Sequence, residues 1–389
     1  MHWRWEQFFL LLRFWVLIFP KFRATVLLPV PRPVTIFGIR MSKNSQITIL
    51  KVAETAGVSK QTVSRVINNH PDVADITRKH VQKVIDELGY HPSAVARSLT
   101  KQRTHTIAVV TAGLNLVGPS NVLNGITLKA EELGYALLIK NLAGFRIDDY
   151  QGLVRFLNEM RVEGVAWACP DIQHYRQESI EKLSTLPTPV VFQGSSPIEN
   201  ALFVTVDNYA GGCRATQHLI DQGFRNIAHI SGPLAFADAE ERKSGWSDTL
   251  LKAGLPPSSL NSAEGDWSAA SGAAAVVELM KTYPEMDAIF VANDQMAIGA
   301  MQIIKERGLQ IPGDIAMIGY DNIAESAFSS PPLTTIAQDF ESMGAKTIEL
   351  LVDVINAQRD GNDLSALQPI RLPADLIVRK SSLRRVEVA

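Results

Sequence analysis

Ala53-Glu54-Thr55-Ala56-Gly57-Val58-Ser59-Lys60-Gln61-Thr62-Val63-Ser64-Arg65-Val66-Ile67-Asn68 reads as two short amphipathic helices broken at a single glycine. The first begins just upstream, where Thr48 is placed to cap it and Leu50, Val52, Ala53 and Ala56 supply an apolar face. Gly57 provides the sharp turn. Ser59 can cap the second helix, with Val63, Val66 and Ile67 facing inward and Lys60, Gln61, Ser64 and Arg65 outward. Two short helices joined at a glycine have the helix-turn-helix shape, whose second helix enters a DNA major groove. The outward residues suit base edges: glutamine pairs with adenine, lysine or arginine with guanine. A third helix over 75–88, with Val81, Val84, Ile85 and Leu88 inward and Gly89 as its C-cap, closes the bundle.

Charge is split along the chain as such a reader requires. The 389 residues carry a net charge of only −2, yet 41–103 hold ten Lys/Arg against five Asp/Glu, and 104–389 hold twenty-two against thirty-four. A basic module neutralises phosphates, and an acidic body stays off random polyanions. Cys169 and Cys213 stand far apart without companion histidines and read as core thiols, so no disulfide or metal site is expected. Residues 1–40 fit neither part. Their apolar run over 8–19 is broken by Arg13, is too short to span a bilayer, and leads into Lys21, Arg23 and Pro29, Pro31 and Pro33 without a cleavage signal. We expect a disordered or spurious extension there, coherent sequence from Met41, and no membrane partner.

After Thr104 short apolar runs alternate with helical stretches. Candidate strands are 107–111, 136–139, 164–168, 190–192, 203–206, 227–230, 288–291 and 315–318, with helices over 122–133, 151–160, 211–222 and 296–307 between them. Repeated strand–helix–strand units predict parallel sheets covered by helices on both faces, and the length fits two such sheets. Ligands in that architecture collect at the carboxyl ends of the strands, here in the cleft between two lobes.

The opening stretch, continued by Gly89-Tyr90-His91-Pro92, resembles the headpiece of the LacI/GalR family of transcription regulators over about fifty residues without a gap. Ser93-Ala94-Val95-Ala96-Arg97-Ser98-Leu99 stands at that family's hinge helix. The resemblance implies a segment that folds only on DNA, pairs with its dimer mate in the minor groove, and wedges Leu99 between base steps. It then runs on through Gly232-Pro233-Leu234, Gly265-Asp266-Trp267-Ser268-Ala269, Val291-Ala292-Asn293-Asp294-Gln295-Met296-Ala297, Gly319-Tyr320-Asp321 and Pro331-Pro332-Leu333-Thr334-Thr335-Ile336. It is closest to lactose-type members. The implied fold is an N-terminal all-α helix-turn-helix headpiece (47–91), a hinge (92–103), and an α/β two-lobed, periplasmic-binding-protein-like core of two parallel-sheet, Rossmann-like subdomains (104–382).

The resemblance assigns DNA contacts to Lys60, Gln61, Thr62, Ser64, Arg65, Asn68, Ala96 and Leu99. It lines a ligand cleft with Arg242, Trp267, Asn293, Asp321 and Gln338, an apolar wall at Phe340, and Leu116, Gly118 and Val122 on the opposite lobe. A sugar site needs planar polar groups and an aromatic ring, which this set contains. On position alone Arg242, among Glu240, Glu241 and Lys243, also reads as a solvent ion-pair residue, Trp267 as core, and Asp321 as a turn cap. Two departures stand out. Lactose-type members carry polar or acidic cleft residues where this chain has Ala112 and Gly194, which predicts lost hydroxyl partners and leaves the sugar open. Lys60 replaces an aromatic on the reading helix, which leaves the operator sequence open.

The tail 383–389 has no apolar heptads, so a homodimer without a tetramer clasp is expected. The reading is a cytoplasmic repressor of a sugar-utilisation operon, bound to double-stranded operator DNA and released by a small sugar or glycoside, a galactoside among the candidates. It needs no cofactor, metal or catalytic residue. Corepressor-dependent binding is the alternative within the family. A secreted sugar-binding protein shares the two-lobed body but has no use for a DNA reader over 48–99. An enzyme would need a nucleophile elbow, phosphate loop or metal spacing, none of which the sequence contains.

Overall fold

The computed structural model describes residues 47–90, 103–145, 147–194 and 201–384. The expectations placed on 1–40, on the hinge with Ala96 and Leu99, on His91 and Pro92, and on 385–389 lie outside the described residues. The chain divides into two units, Met1–Pro92 and Ser93–Ala389.

In the first unit, helix α1 (Ile49–Ala56) is capped by the Thr48 hydroxyl, which accepts from the Lys51 N–H at 3.4 Å. It ends at Gly57, whose φ of 64° is the left-handed conformation that glycine adopts without a Cβ penalty. Helix α2 (Lys60–Ile67) starts at Ser59, whose hydroxyl accepts from the Thr62 N–H at 3.0 Å. Helix α3 (Asp75–Leu88) ends at Gly89 and ties back through His80 Nε2, 3.1 Å from the Ala56 carbonyl oxygen. The core gathers Val52, Ala53, Ala56, Val63, Val66, Val73, Val81, Val84, Ile85 and Tyr90. Leu50 corrects the expected apolar face: it is 58 % exposed, because in the first turn of α1 its position faces away from the side on which Val52, Ala53 and Ala56 are buried.

The second unit holds two six-stranded sheets. The N-lobe runs β1 (Thr106–Thr111), α4 (Val117–Glu132), β2 (Ala136–Asn141), α5 (Tyr150–Met160), β3 (Gly164–Ala168), α6 (Gln173–Ser184), β4 (Val190–Gln193) and β5 (Phe203–Val206). The chain then crosses to the C-lobe: α7 (Asn208–Asp221), β6 (Ile227–Ser231), α8 (Ala237–Lys252), β7 (Ser262–Glu264), α9 (Ala269–Thr282), β8 (Ala288–Val291), α10 (Asp294–Glu306), β9 (Ala316–Asp321) and β10 (Thr334–Ala337). It returns for α11 (Phe340–Asp360) and β11 (Ile370–Leu372), then crosses once more for β12 (Asp375–Ile377). The strand orders are β11-β5-β4-β3-β1-β2 and β12-β10-β9-β8-β6-β7. Every pairing is parallel except β10 with β12.

All eight predicted strands exist, while β7, β10, β11 and β12 were not anticipated. β7, β11 and β12 are three-residue strands at sheet edges, and the inner β10 is Thr334-Thr335-Ile336-Ala337, so each carries too few apolar positions to mark itself. Each sheet is buried on both faces, which is why its central strands read as unbroken apolar runs. Helix α11 belongs to the N-lobe core through Ile348, Leu351, Val354 and Ile355. It touches α4 backbone to backbone: a Cβ on Gly125 would lie 2.2 Å from the Glu341 carbonyl oxygen. That contact sets Val122 beside Phe340 at the end of the lobe.

Candidate functional site

On α2, Lys60, Gln61 and Arg65 project as exposed side chains and Ser64 is half-buried. Thr62 and Asn68 are partly committed to the helix itself: the Thr62 hydroxyl shares a 2.9 Å hydrogen bond with Ser59, and Asn68 Nδ2 donates to the Ser64 carbonyl at 2.8 Å. The six candidates thus divide into long exposed groups and short ones that also fix the helix ends. The packing of Val63 and Val66 into the headpiece core turns the opposite, polar stripe to solvent.

In the body, β1 is flanked by β2 and β3, and β6 by β7 and β8. Strand order reverses at both places, so the loops leaving β1, β3, β6 and β8 open a crevice at the carboxyl ends of each sheet. The two crevices face each other across one cleft of about 880 Å³, its open mouth included. Leu116, Gly118, Val122, Arg242, Trp267, Asn293, Asp321, Gln338 and Phe340 all line it. Chain distance between them runs to more than two hundred residues, and only the doubly wound topology brings them together.

The C-lobe wall is prearranged. Arg242, on α8, is 3 % exposed and has none of the solvent character its charged neighbours suggested. Its Nε donates to Asn208 Oδ1 at 2.9 Å and an Nη to the Ala292 carbonyl at 2.6 Å, and its guanidinium lies 3.8 Å from the centre of the Tyr320 ring. Asp321 Oδ1 stands 3.7 Å from the guanidinium and accepts from Gln338 Nε2 at 2.7 Å. Burial pushes the Asp321 carboxyl up to about 7, and Arg242 pulls it back only in part because their contact is too long for a hydrogen bond. Near neutral pH this carboxyl can therefore donate as well as accept, which suits a hydroxyl.

Asn293 caps α10 by accepting from the Met296 N–H at 2.9 Å and donates to the Trp267 carbonyl at 3.0 Å, tying the aromatic to the end of β8. Asp294 works behind the wall. It accepts from the Ile323 N–H, the Ser326 hydroxyl and the Thr335 hydroxyl, holding the loop after β9 in place, and burial raises its carboxyl to about 6. Trp267 is partly buried at φ 74°, with its ring 5.5 Å from the Arg242 guanidinium and edge-on to Phe236 at 6.0 Å.

Asp171, Gln193, Asn208, Phe236 and Asp238 also line the cleft and were not among the candidates. Gln193 ends β4, and Asp171 and Asn208 stand within three residues of the ends of β3 and β5, so the rule that singled out Asn293 and Asp321 finds these three; Phe236 and Asp238 lie five and seven residues past β6, beyond its reach. Ala112 is buried and does not line the cleft. Gly194 does, but the gap beside it is filled: a Cβ there would come within 3.1 Å of Asp171 Oδ2. The expected loss of a polar group at this corner is corrected by a carboxylate from the neighbouring loop. Among the described residues no group of His, Cys, Asp and Glu gathers to hold a metal ion, and no helix is long and apolar enough to cross a membrane.

A helix-turn-helix headpiece followed by a two-lobed body with a buried polar cleft defines the class of effector-responsive DNA-binding regulators. Residues 48–93 match the model for bacterial regulatory proteins of the lacI family, and 216–382 match that for a periplasmic binding protein-like domain. The chain is 34 % identical to the lactose operon repressor of Escherichia coli over 87 % of its own length and 91 % of the relative. It is 35 % identical to the transcriptional repressor PurR of Vibrio campbellii over 86 % and 98 %. Its fold is similar to a crystal structure of the Lac repressor dimer bound to operator and the anti-inducer ONPF, with a TM-score of 0.77, 32 % identity, and coverage of 87 % and 99 %. The chain belongs to the LacI family and is a DNA-binding transcriptional repressor.

Proposed function

We propose that this repressor controls a sugar-utilisation operon in the cytoplasm, and that a neutral sugar or glycoside closing on its cleft releases it from the operator. The observation that carries this reading is the convergence of Arg242, Asn293, Asp321 and Gln338 beside Trp267 and opposite the apolar Leu116, Val122 and Phe340. Planar donors and acceptors facing an apolar wall match the two faces of a sugar ring. The name of the lactose operon repressor supports the same ligand class.

In this reading Lys60, Gln61 and Arg65 read base edges, while Thr62, Ser64 and Asn68 set the helix against phosphates. Ala96 and Leu99 engage the minor groove from the hinge, and two copies bind a near-palindromic site as a homodimer. Domain limits follow the same assignment, with the headpiece over 47–91, the hinge over 92–103 and the body over 104–382. An effector that prefers one arrangement of the lobes lowers operator affinity by its differential affinity for the two states.

The test is fluorescence anisotropy on DNA upstream of the gene and its neighbours, at fixed salt, with a panel of mono- and disaccharides. Tight binding released by one sugar upholds the reading. Binding that requires the ligand reverses the switch and makes the protein corepressor-dependent. Binding that no sugar alters removes the sugar assignment and leaves the DNA reader standing.

A further inference from the structure

Gln193 ends β4 and lines the cleft from the N-lobe. Side chains along a strand alternate between its faces. Val191 packs with Ile348 and Leu351 of α11, and Phe192 packs with Trp167 and Leu183 on the other face, so Gln193 returns to the α11 side. There Phe340 and Met343 of α11 also border the cleft. Gln193 Nε2 lies 2.8 Å from the hydroxyl oxygen of Thr347, one turn beyond Met343 on the same helix.

The Thr347 hydroxyl decides which way that amide points. It is fully buried and donates its only proton to the Met343 carbonyl, one turn back, at 2.8 Å. Toward Gln193 it can only accept, so the amide must present its NH2 group to Thr347. The carbonyl oxygen, Oε1, is the end that remains. It makes no hydrogen bond among the described residues and is not one of the polar atoms sealed in the interior, so it opens on the cleft. Asp171 and Thr205 line the cleft as well, and both are already engaged within the protein.

We infer that Gln193 is a specificity-determining residue: its amide is locked as an acceptor and selects an effector that brings a hydroxyl to the N-lobe end of the cleft. The inference rests on the sugar reading above and adds a constraint to it. An ether oxygen or a fluorine placed at this point would meet the amide oxygen lone pair to lone pair. A bare CH2 would take water from the oxygen and return no hydrogen bond. Thr347 is the positioning residue, since without its hydroxyl the amide can turn over and offer its NH2 group instead.

Calorimetric titration of the full chain with glucose, galactose, lactose, cellobiose and maltose identifies the tightest of these binders. It is then compared with its single-deoxy and single-deoxyfluoro analogues. We expect one position at which either replacement costs about tenfold or more. In Gln193→Leu the parent sugar should lose about tenfold, while the deoxy analogue at that position loses no more than about twofold, which closes the gap between them. Thr347→Val keeps the side-chain shape and the amide. It should improve the deoxyfluoro analogue about threefold or more relative to the parent, and Thr347→Ser should restore the wild-type ratio. A merely structural role for either residue weakens all the ligands alike and moves neither ratio. Thr347→Val decides the matter if Gln193→Leu fails to fold. A parent-to-analogue ratio left unchanged by Gln193→Leu, or by Thr347→Val, overturns the proposal and leaves the sugar reading intact. Failure of every sugar to bind the wild-type chain overturns both.

Discussion

The reading helix and the effector cleft solve recognition in opposite ways. On α2 the long side chains stand in solvent, while the small residues around them hold the helix ends. In the cleft the polar groups of the C-lobe wall are also bonded to the protein: Arg242 to Asn208 and Ala292, Asn293 to Trp267 and Met296, Gln338 to Asp321. An exposed reader can be altered without disturbing the fold but must be ordered when DNA arrives. A buried reader is ordered in advance, so altering it injures the fold and the site together.

That contrast gives its largest expected effect at Arg242. Arg242→Ala removes the buried cation beside the Asp321 carboxyl and the Nε donor to the Asn208 amide oxygen, and should cost the body about 3–5 kcal/mol of stability as well as the effector response. Urea unfolding followed by tryptophan fluorescence measures it; an unchanged midpoint would remove the distinction between the two surfaces. Arg65→Ala is the counterpart. It should weaken specific operator binding by about 1–3 kcal/mol and shift the unfolding midpoint by no more than about 0.5 kcal/mol. Anisotropy on operator and on unrelated DNA at one salt concentration separates base reading from phosphate binding.

Gly57→Ala comes next. Forcing a Cβ into φ 64° should cost the headpiece about 1–2 kcal/mol, seen as a lower melting temperature for its transition alone. The smallest effect is a pH slope. Asp321, raised to about 7, holds a proton in the folded body that it does not hold when unfolded. Its stabilisation is complete below the unfolded pKa and is lost as pH rises through 7. His229, lowered to about 3 by burial, has the opposite sign, and because its ordinary value is near 6.5 its contribution fades only above about pH 7.5. Near pH 7 Asp321 should therefore contribute a loss of about 0.7 kcal/mol per pH unit, of which His229 offsets about half, and Asp321→Asn should remove that loss. A rising slope in that window would contradict the assignment.

The sequence was most legible where one short stretch carries a whole device. The caps at Thr48 and Ser59, the turn at Gly57 and the inward valines of α2 are all local and all visible in order. The central strands were legible because burial on both faces leaves them continuously apolar. Edge strands β7, β11 and β12 were not, since three residues do not establish a period. Arg242 was ambiguous for a different reason. Its charged neighbours on α8 point elsewhere, and only the packing of α8 against α7 carries its guanidinium inward to Asn208. Asp171 was invisible because its place in the cleft depends on Gly194, a residue just past the end of another strand whose contribution is empty space.

The chain passes between the lobes three times, after β5, after β10 and after β11, and this has a consequence during synthesis. The first lobe cannot be completed by the residues that begin it, since α11 and β11 arrive only when translation has reached residue 372. The DNA-reading headpiece, by contrast, is finished by residue 90. At about 5–20 residues per second, a nascent chain carries a folded headpiece for about 15–60 s before the sensor that governs it exists. If two copies bind the operator together as proposed, a headpiece too weak to hold it alone keeps the nascent chain from acting before it can be switched off.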